Sequence, residues 1–171
     1  MPDISMLIKP ASSLCNLRCR YCFYHDEAAS RAVSSYGMMD APTLDIIVRR
    51  AVTESSGHIS FSFQGGEPTV RGIEYFELLH EKCDYYKRSL GRSDITFSFS
   101  IQTNGILTAS DERWAKLFAK YHYLVGLSVD GTKDIHDENR VDADGRGTYS
   151  RVEAAARMLG RHGVDFNILT V

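Results

Sequence analysis

Apolar and polar positions alternate along this chain in two rhythms. Ile59, Phe61 and Phe63 take every second place, with Ser60, Ser62 and Gln64 between them. The same period of two sets Phe97, Phe99 and Ile101 against Thr96, Ser98, Ser100, Gln102 and Asn104. It also sets Val125, Leu127 and Val129 against Gly126, Ser128 and Asp130. Successive side chains of a strand point to opposite faces, so this spacing predicts strands over 58–64, 95–103 and 123–130. Ser5–Lys9 reads as an earlier strand, and a fifth begins at Val164 and runs to Val171.

Between these segments the period lengthens to that of a helix. Leu44, Ile47, Val48, Ala51 and Val52 form one stripe; Ile73, Phe76, Leu79, Cys83 and Tyr86 form a second. Trp114, Leu117, Phe118 and Tyr121 form a third, and Tyr149, Val152, Ala155, Ala156 and Leu159 a fourth. Each marks an amphipathic helix with one buried side. Asp40 and Pro42 stand where an N-cap and a first-turn proline belong, and Gly163 closes the last helix. The Ala/Ser-rich stretch 27–37 reads as a loop or short helix, and 142–147 as a polar loop.

Strands separated by helices pair in parallel through right-handed crossovers. A parallel sheet covered on both faces reads as continuous apolar runs. Here one face is apolar and the other small and polar. Two arrangements fit: an antiparallel sheet with one wet face, or a parallel sheet curled around a wet lumen with helices outside. The intervening helices favour the second. The expected class is therefore α/β, and 171 residues fall short of the ~250 of a full eight-unit barrel.

Composition narrows the function. With 43% apolar residues, 25% charged residues and a net charge of −2, one globular core is expected, and the basic footprint of a general nucleic-acid binder is missing. No apolar run reaches the ~18 residues of a membrane helix. Met1 to Lys9 does not read as an export signal, so a cytoplasmic protein without membrane contact is expected. Three of the four cysteines crowd into Cys15-x3-Cys19-x2-Cys22. That pattern points to a reducing compartment and a metal or cluster site rather than a disulfide framework. Three soft thiolates suit a four-iron cluster with one iron left open to an outside ligand. The rival is a tetrahedral zinc site completed by His25. Cys83 lies on an apolar stripe and is expected to be a small buried hydrophobe.

The strand ends are chemically loaded. Gln64-Gly65-Gly66-Glu67-Pro68-Thr69, Gln102-Thr103-Asn104-Gly105 and Ser128-Val129-Asp130-Gly131 all fall at the carboxyl edge, where ligands of α/β barrels and sheets collect. The loop Cys15-Asn16-Leu17-Arg18-Cys19-Arg20-Tyr21-Cys22-Phe23-Tyr24 resembles the cluster loop of the radical SAM superfamily. Gly65-Gly66-Glu67-Pro68 resembles its glycine-rich motif. Together with the other two strand ends and with His136-Asp137-Glu138-Asn139-Arg140, the chain is similar to the N-terminal catalytic half of the anaerobic sulfatase-maturating enzymes, which are SPASM-type members.

That resemblance implies a radical SAM core over 1–171, shaped as a partial (β/α)6 TIM-like barrel that stops in its fifth strand. It implies a [4Fe-4S] cluster on Cys15, Cys19 and Cys22, with S-adenosylmethionine on the fourth iron. Reductive cleavage would give a 5′-deoxyadenosyl radical that oxidises a Cys or Ser of a sulfatase to Cα-formylglycine; a related peptide modification is the alternative. It further implies Tyr21 against the adenine, most simply through its backbone, and Gly66 where the main chain approaches the methionine amino group. Glu67 would fix that loop, Ser128 would bond the ribose or methionyl part, and Arg140 would pair with the carboxylate. Gln64 and Tyr24 would lie on the substrate side. The partners implied are a sulfatase or other peptide and an electron donor such as a flavodoxin or ferredoxin. The catalytic base and two further clusters are expected beyond Val171, so this chain alone is not expected to complete turnover. A zinc-stabilised binding module without catalysis is the alternative from another class.

Overall fold

In the computed structural model, which describes residues 2–171, five strands lie side by side in chain order. They are β1 (Ile4–Ile8), β2 (His58–Phe63), β3 (Thr96–Thr103), β4 (Leu124–Ser128) and β5 (Phe166–Leu169). Every neighbouring pair is parallel, which excludes the antiparallel alternative. Strand order never reverses, so the sheet is wound in one direction, as a barrel is, and it is unclosed. The helices predicted from the apolar stripes are α2 (Ala41–Glu54), α3 (Ile73–Ser89), α5 (Arg113–Lys120) and α7 (Tyr149–Arg161). Asp40 caps α2, its Oδ1 accepting the Thr43 N–H at 2.8 Å. α7 ends as its sequence suggests. The Gly163 N–H donates to the Gly160 carbonyl and the Val164 N–H to the Leu159 carbonyl, both at 3.1 Å, the paired bonds of a Schellman motif.

Four short elements were not anticipated from the apolar pattern. α1 (Phe23–Ser30), a 3-10 turn at Pro68–Arg71, α4 (Ile106–Ser110) and α6 (Lys133–Asn139) follow β1, β2, β3 and β4 in turn. They are too short to display a helical period, and all decorate the carboxyl edge of the sheet. The 27–37 stretch therefore divides: its first residues belong to a helix that starts just after Cys22, and the rest is irregular.

The alternation of residues becomes a division of faces. Ile59, Phe61, Phe63, Ile101, Val125 and Leu127 are no more than 2% exposed. They share one core with Leu44 and Val48 of α2, Phe76 and Leu79 of α3, Trp114 and Phe118 of α5, and Val152 and Leu159 of α7. The ring of Phe61 stacks near those of Phe97 and Phe99, at centroid distances of 6.3 and 6.0 Å. Cys83 is buried in this core. On the other face, register sets Leu7, Ser62, Ser100 and Leu124 in one row. The Ser100 hydroxyl donates to that of Ser62 at 2.8 Å. The serines thus face away from the helices. Among the described residues no helix is long and apolar enough to cross a membrane.

Candidate functional site

The cysteine loop leaves β1 and is gripped on both flanks by backbone. On one flank the Gly66 N–H donates to the Ser12 carbonyl at 3.0 Å and the Glu67 N–H to the Leu14 carbonyl at 2.8 Å. On the other, the Arg18 and Arg20 N–H groups donate to the Val141 and Asn139 carbonyls at 2.7 and 2.9 Å. Both glycines of the turn are required by this packing. Gly65 has φ +122°, a region that favours glycine, and a Cβ on Gly66 would lie 2.1 Å from the Leu14 carbonyl oxygen. Contact with the cysteine loop is thus a reason for glycine at 66 beside the ligand approach expected of it.

Glu67 ties the turn to β3. Its side chain is 1% exposed. Oε1 accepts from the Thr69 N–H at 3.0 Å, the Thr69 hydroxyl at 2.6 Å and the Thr103 hydroxyl at 2.8 Å, while Oε2 accepts from the Asn104 N–H at 2.7 Å. Burial raises its pKa and these bonds oppose the rise. The carboxylate is used within the protein, so Glu67 acts on the cavity through the loops it joins.

Cys15, Cys19 and Cys22 line one cavity of about 320 Å³ together with Gly66, Asn104, Ser128 and Arg140. None forms a disulfide. Burial pushes the Cys15 thiol up to about 11, against the opposing Leu17 N–H. Burial also raises Cys19, against the pull of Arg140. Neutral thiols bind a metal only by releasing their protons, so metal capture here is coupled to proton release. His25 is exposed on α1 and is not on the cavity wall, so the four-ligand zinc constellation is not assembled. Among the described residues no group of three or more His, Cys, Asp or Glu side chains is placed to hold a single metal ion. Three thiols lining one cavity, without a fourth protein ligand among the described residues, fit a cluster with one iron left open.

The end of β4 supplies Ser128 to the cavity lining and, through Asp130, holds Arg140 in it. Asp130 takes the forked side of Arg140, accepting from Nε at 2.9 Å and Nη2 at 3.1 Å, and it also accepts the Tyr21 hydroxyl proton. Burial works against ionisation of Asp130, but the Arg140 and Tyr21 bonds outweigh it and hold its carboxyl below the ordinary range. The Tyr21 hydroxyl is pushed well above its usual value by burial and then by its bond to Asp130. The Arg140 guanidinium also lies 5.4 Å from the centroid of the Tyr21 ring. Two bonds to one carboxylate occupy Nε and one N–H of Nη2, so Nη1 and the second N–H of Nη2 are left for a ligand. Beneath it, His136 is fully buried, with Nδ1 accepting the Asp130 N–H at 3.3 Å and Nε2 3.0 Å from the Thr148 hydroxyl.

All the predicted site residues meet here. Tyr21, Tyr24, Gln64, Gly66, Glu67, Ser128 and Arg140 line the same cavity as the three cysteines. Sequence reasoning missed Asp130, His136 and Thr103 as partners, and named Asn104 only as a member of a loaded strand end. The signal was present for Asp130 and Asn104, since both sit at loaded strand ends, but nothing local said which loop each would touch.

Comparison with known proteins agrees with this geometry. The family model of the radical SAM superfamily matches residues 10–171. A cysteine-type anaerobic sulfatase-maturating enzyme of Clostridium perfringens is 49% identical over 171 residues, covering 100% of this chain and 45% of that protein. A serine-type enzyme of Klebsiella aerogenes is 32% identical over 169 residues, covering 97% of this chain and 39% of that protein. A solved structure of native anSMEcpe with bound AdoMet and the Kp18Cys peptide superimposes with a TM-score of 0.88 at 47% identity, covering 99% of this chain and 43% of that one. The chain thus spans less than half the length of these two curated relatives.

Proposed function

The chain belongs to the radical SAM superfamily, and from that premise we propose that it is the cluster- and cofactor-binding part of a cysteine-type sulfatase-maturating enzyme. The observation that carries this reading is the single cavity that the three thiols share with the Gly-Gly turn, Ser128 and Arg140. The greater identity to a cysteine-type relative than to a serine-type one supports cysteine as the target.

When bound, a reduced [4Fe-4S] cluster with S-adenosylmethionine supplies one-electron cleavage of a carbon–sulfur bond and a carbon radical able to take a hydrogen atom. Cys15, Cys19 and Cys22 would each give a thiolate to an iron of that cluster. The loop bonds from Ser12 to Glu67 keep the sulfurs in register, and the two-sided backbone grip limits their reorganisation. Arg140 offers Nη1 to the cofactor carboxylate while Asp130 fixes the rest of the guanidinium. Ser128, buried at the end of β4, offers a hydroxyl beside it. Tyr21, its hydroxyl already spent on Asp130, offers its backbone and ring edge to the adenine. Gln64 and Tyr24 face the peptide. The Lys9 ammonium lies 4.8 Å from the Tyr24 ring centroid and keeps that wall cationic.

The overall change balances as follows. The target CH2–SH side chain and one water become an aldehyde and hydrogen sulfide; one hydrogen atom would go to the cofactor-derived carbon radical, and the second would leave as a proton and an electron, the electron passing to an oxidised iron–sulfur acceptor of the whole enzyme. A flavodoxin or ferredoxin class donor supplies the electron that begins the reaction. No residue of this chain is assigned as the base that takes the remaining proton. The protein acts without nucleic acid and in a reducing, cytoplasmic setting.

Anaerobic reconstitution with iron and sulfide tests the proposal. About four irons per chain, as a cubane requires, and release of 5′-deoxyadenosine on reduction are expected. A full-length version should then convert a sulfatase peptide carrying cysteine to an aldehyde, detected by mass. One zinc and no iron would favour the binding module. Cofactor cleavage without any aldehyde from a Cys or Ser peptide would favour a different peptide modification.

A further inference from the structure

Asn104 stands at the end of β3, far in sequence from the cysteine loop, yet its side chain enters that loop. Its Oδ1 accepts the Ile106 N–H at 3.1 Å. An amide oxygen committed to a backbone donor fixes which end of the amide points which way, so the NH2 group faces the cysteines. One bond from Nδ2 runs to Asn16 Oδ1 at 2.8 Å, and Nδ2 lies 3.8 Å from Cys15 Sγ. The Leu17 N–H, 3.4 Å from the same sulfur, is its second donor. Asn104 is only 7% exposed, and its own N–H is held by Glu67 at 2.7 Å. The donor is therefore preorganised, in a site that excludes most water. Among the described residues, no side-chain donor is directed at Cys19 or Cys22 in the same manner.

We propose that Asn104 is a positioning residue that sets the reduction potential of the iron–sulfur cluster through its N–H to the Cys15 sulfur. This rests on the cluster reading above. A donor aimed at a ligating thiolate withdraws electron density and stabilises the more negative, reduced cluster, so the bond moves the potential upward. Without it, the cluster becomes harder to reduce.

The test is a midpoint determination, by electron paramagnetic resonance during a reductive titration of the anaerobically reconstituted chain. Three variants join the wild type. Asn104→Ala deletes the donor. Asn104→Asp keeps the shape and the acceptor for Ile106 but puts a negative charge where the donor was. Asn16→Ala removes the tether between the loops and leaves Nδ2 for the sulfur. The expected result is a midpoint more negative than wild type in both Asn104 variants, further in Asn104→Asp, and no negative shift in Asn16→Ala. Wild-type midpoints in clusters of both Asn104 variants overturn the proposal. So does an Asn16→Ala shift as large as that of Asn104→Ala, which would assign the effect to tethering. Loss of the cluster in every Asn104 variant, with Asn16→Ala intact, also overturns it in favour of a purely structural grip. Failure of the wild type to assemble any cluster instead sinks the cluster reading, and the proposal falls with it.

Discussion

On the helix side of the sheet Phe61 and Phe63 are shut away from water. One position along the same strand, Ser62 points the other way and bonds Ser100 across 2.8 Å. The helix side contains one continuous apolar core with ring stacks between Phe61, Phe97 and Phe99. The other side is small and polar, and it leads at its carboxyl edge to thiols, an ion pair and a buried carboxylate. Stability and chemistry are thus separated by one residue of register. A fold can dedicate one face to burial, which is insensitive to detail, and leave the other free to vary in polar groups.

The sharpest way to break this division is to injure the helix side. Phe61→Ala removes a fully buried ring and is expected to cost about 3–5 kcal/mol in urea unfolding. The carboxyl edge holds one residue whose loss should also be felt globally. Glu67→Gln replaces one of the two acceptor oxygens by an NH2, which then meets at least the Asn104 N–H that Oε2 accepts, while the amide oxygen can keep the three donors on Oε1. We expect a loss of about 2–3 kcal/mol, together with weaker iron incorporation, because the turn and Asn104 both depend on it. A stability loss without any change in iron binding would separate the two faces more cleanly than proposed here.

Acid tests the helix side from another direction. His80 packs on α3 with its ring 3.4 Å from that of Tyr121, and Nε2 lies 3.0 Å from the Tyr123 hydroxyl. Burial, and next the charge of Lys120, lowers its pKa to about 3. The folded form therefore keeps it neutral, while the unfolded chain takes up a proton near the ordinary value of about 6.5. Stability from this group is full above about 6.5 and is lost as the pH falls toward 3. By linkage, roughly 2 kcal/mol should be gone at pH 5. His80→Phe should flatten that decline between pH 7 and 5; an unchanged slope would refute the assignment.

The smallest effect is expected on the polar face. Ser62→Ala removes the acceptor of one half-exposed hydroxyl pair and should cost less than about 1 kcal/mol. The triple change of Cys15, Cys19 and Cys22 to alanine should likewise leave urea stability nearly unaltered while abolishing iron binding. A large destabilisation by that triple change would mean that the thiols are core residues, and the contrast between the faces would fail.

Much of this was legible in the chain itself. Strict alternation in 58–64 and 97–101 already assigned each side chain to a face, because a strand has no other period. The spacing of Cys15, Cys19 and Cys22 already put three soft ligands within eight residues, where a short loop brings them together whatever lies around it. The short elements after the first four strands were missed because four to eight residues are too few to show a clear repeat. The protein contact that also demands glycine at 66 was not legible, because the obstacle, the Leu14 carbonyl, comes from a loop distant in sequence.

What the sequence determined by itself was periodicity and proximity: which faces bury, which helices cover them, and which ligands cluster. Only the tertiary structure decided the company each polar group keeps. Asn104 and Cys15 lie 89 positions apart, as Tyr21 and Asp130 lie 109 apart. No local pattern encodes such a pair, because its bond exists only after the parallel sheet has carried four strand ends to one edge. An Asn-Gly or Asp-Gly dipeptide reads as a turn until another loop arrives to meet its side chain.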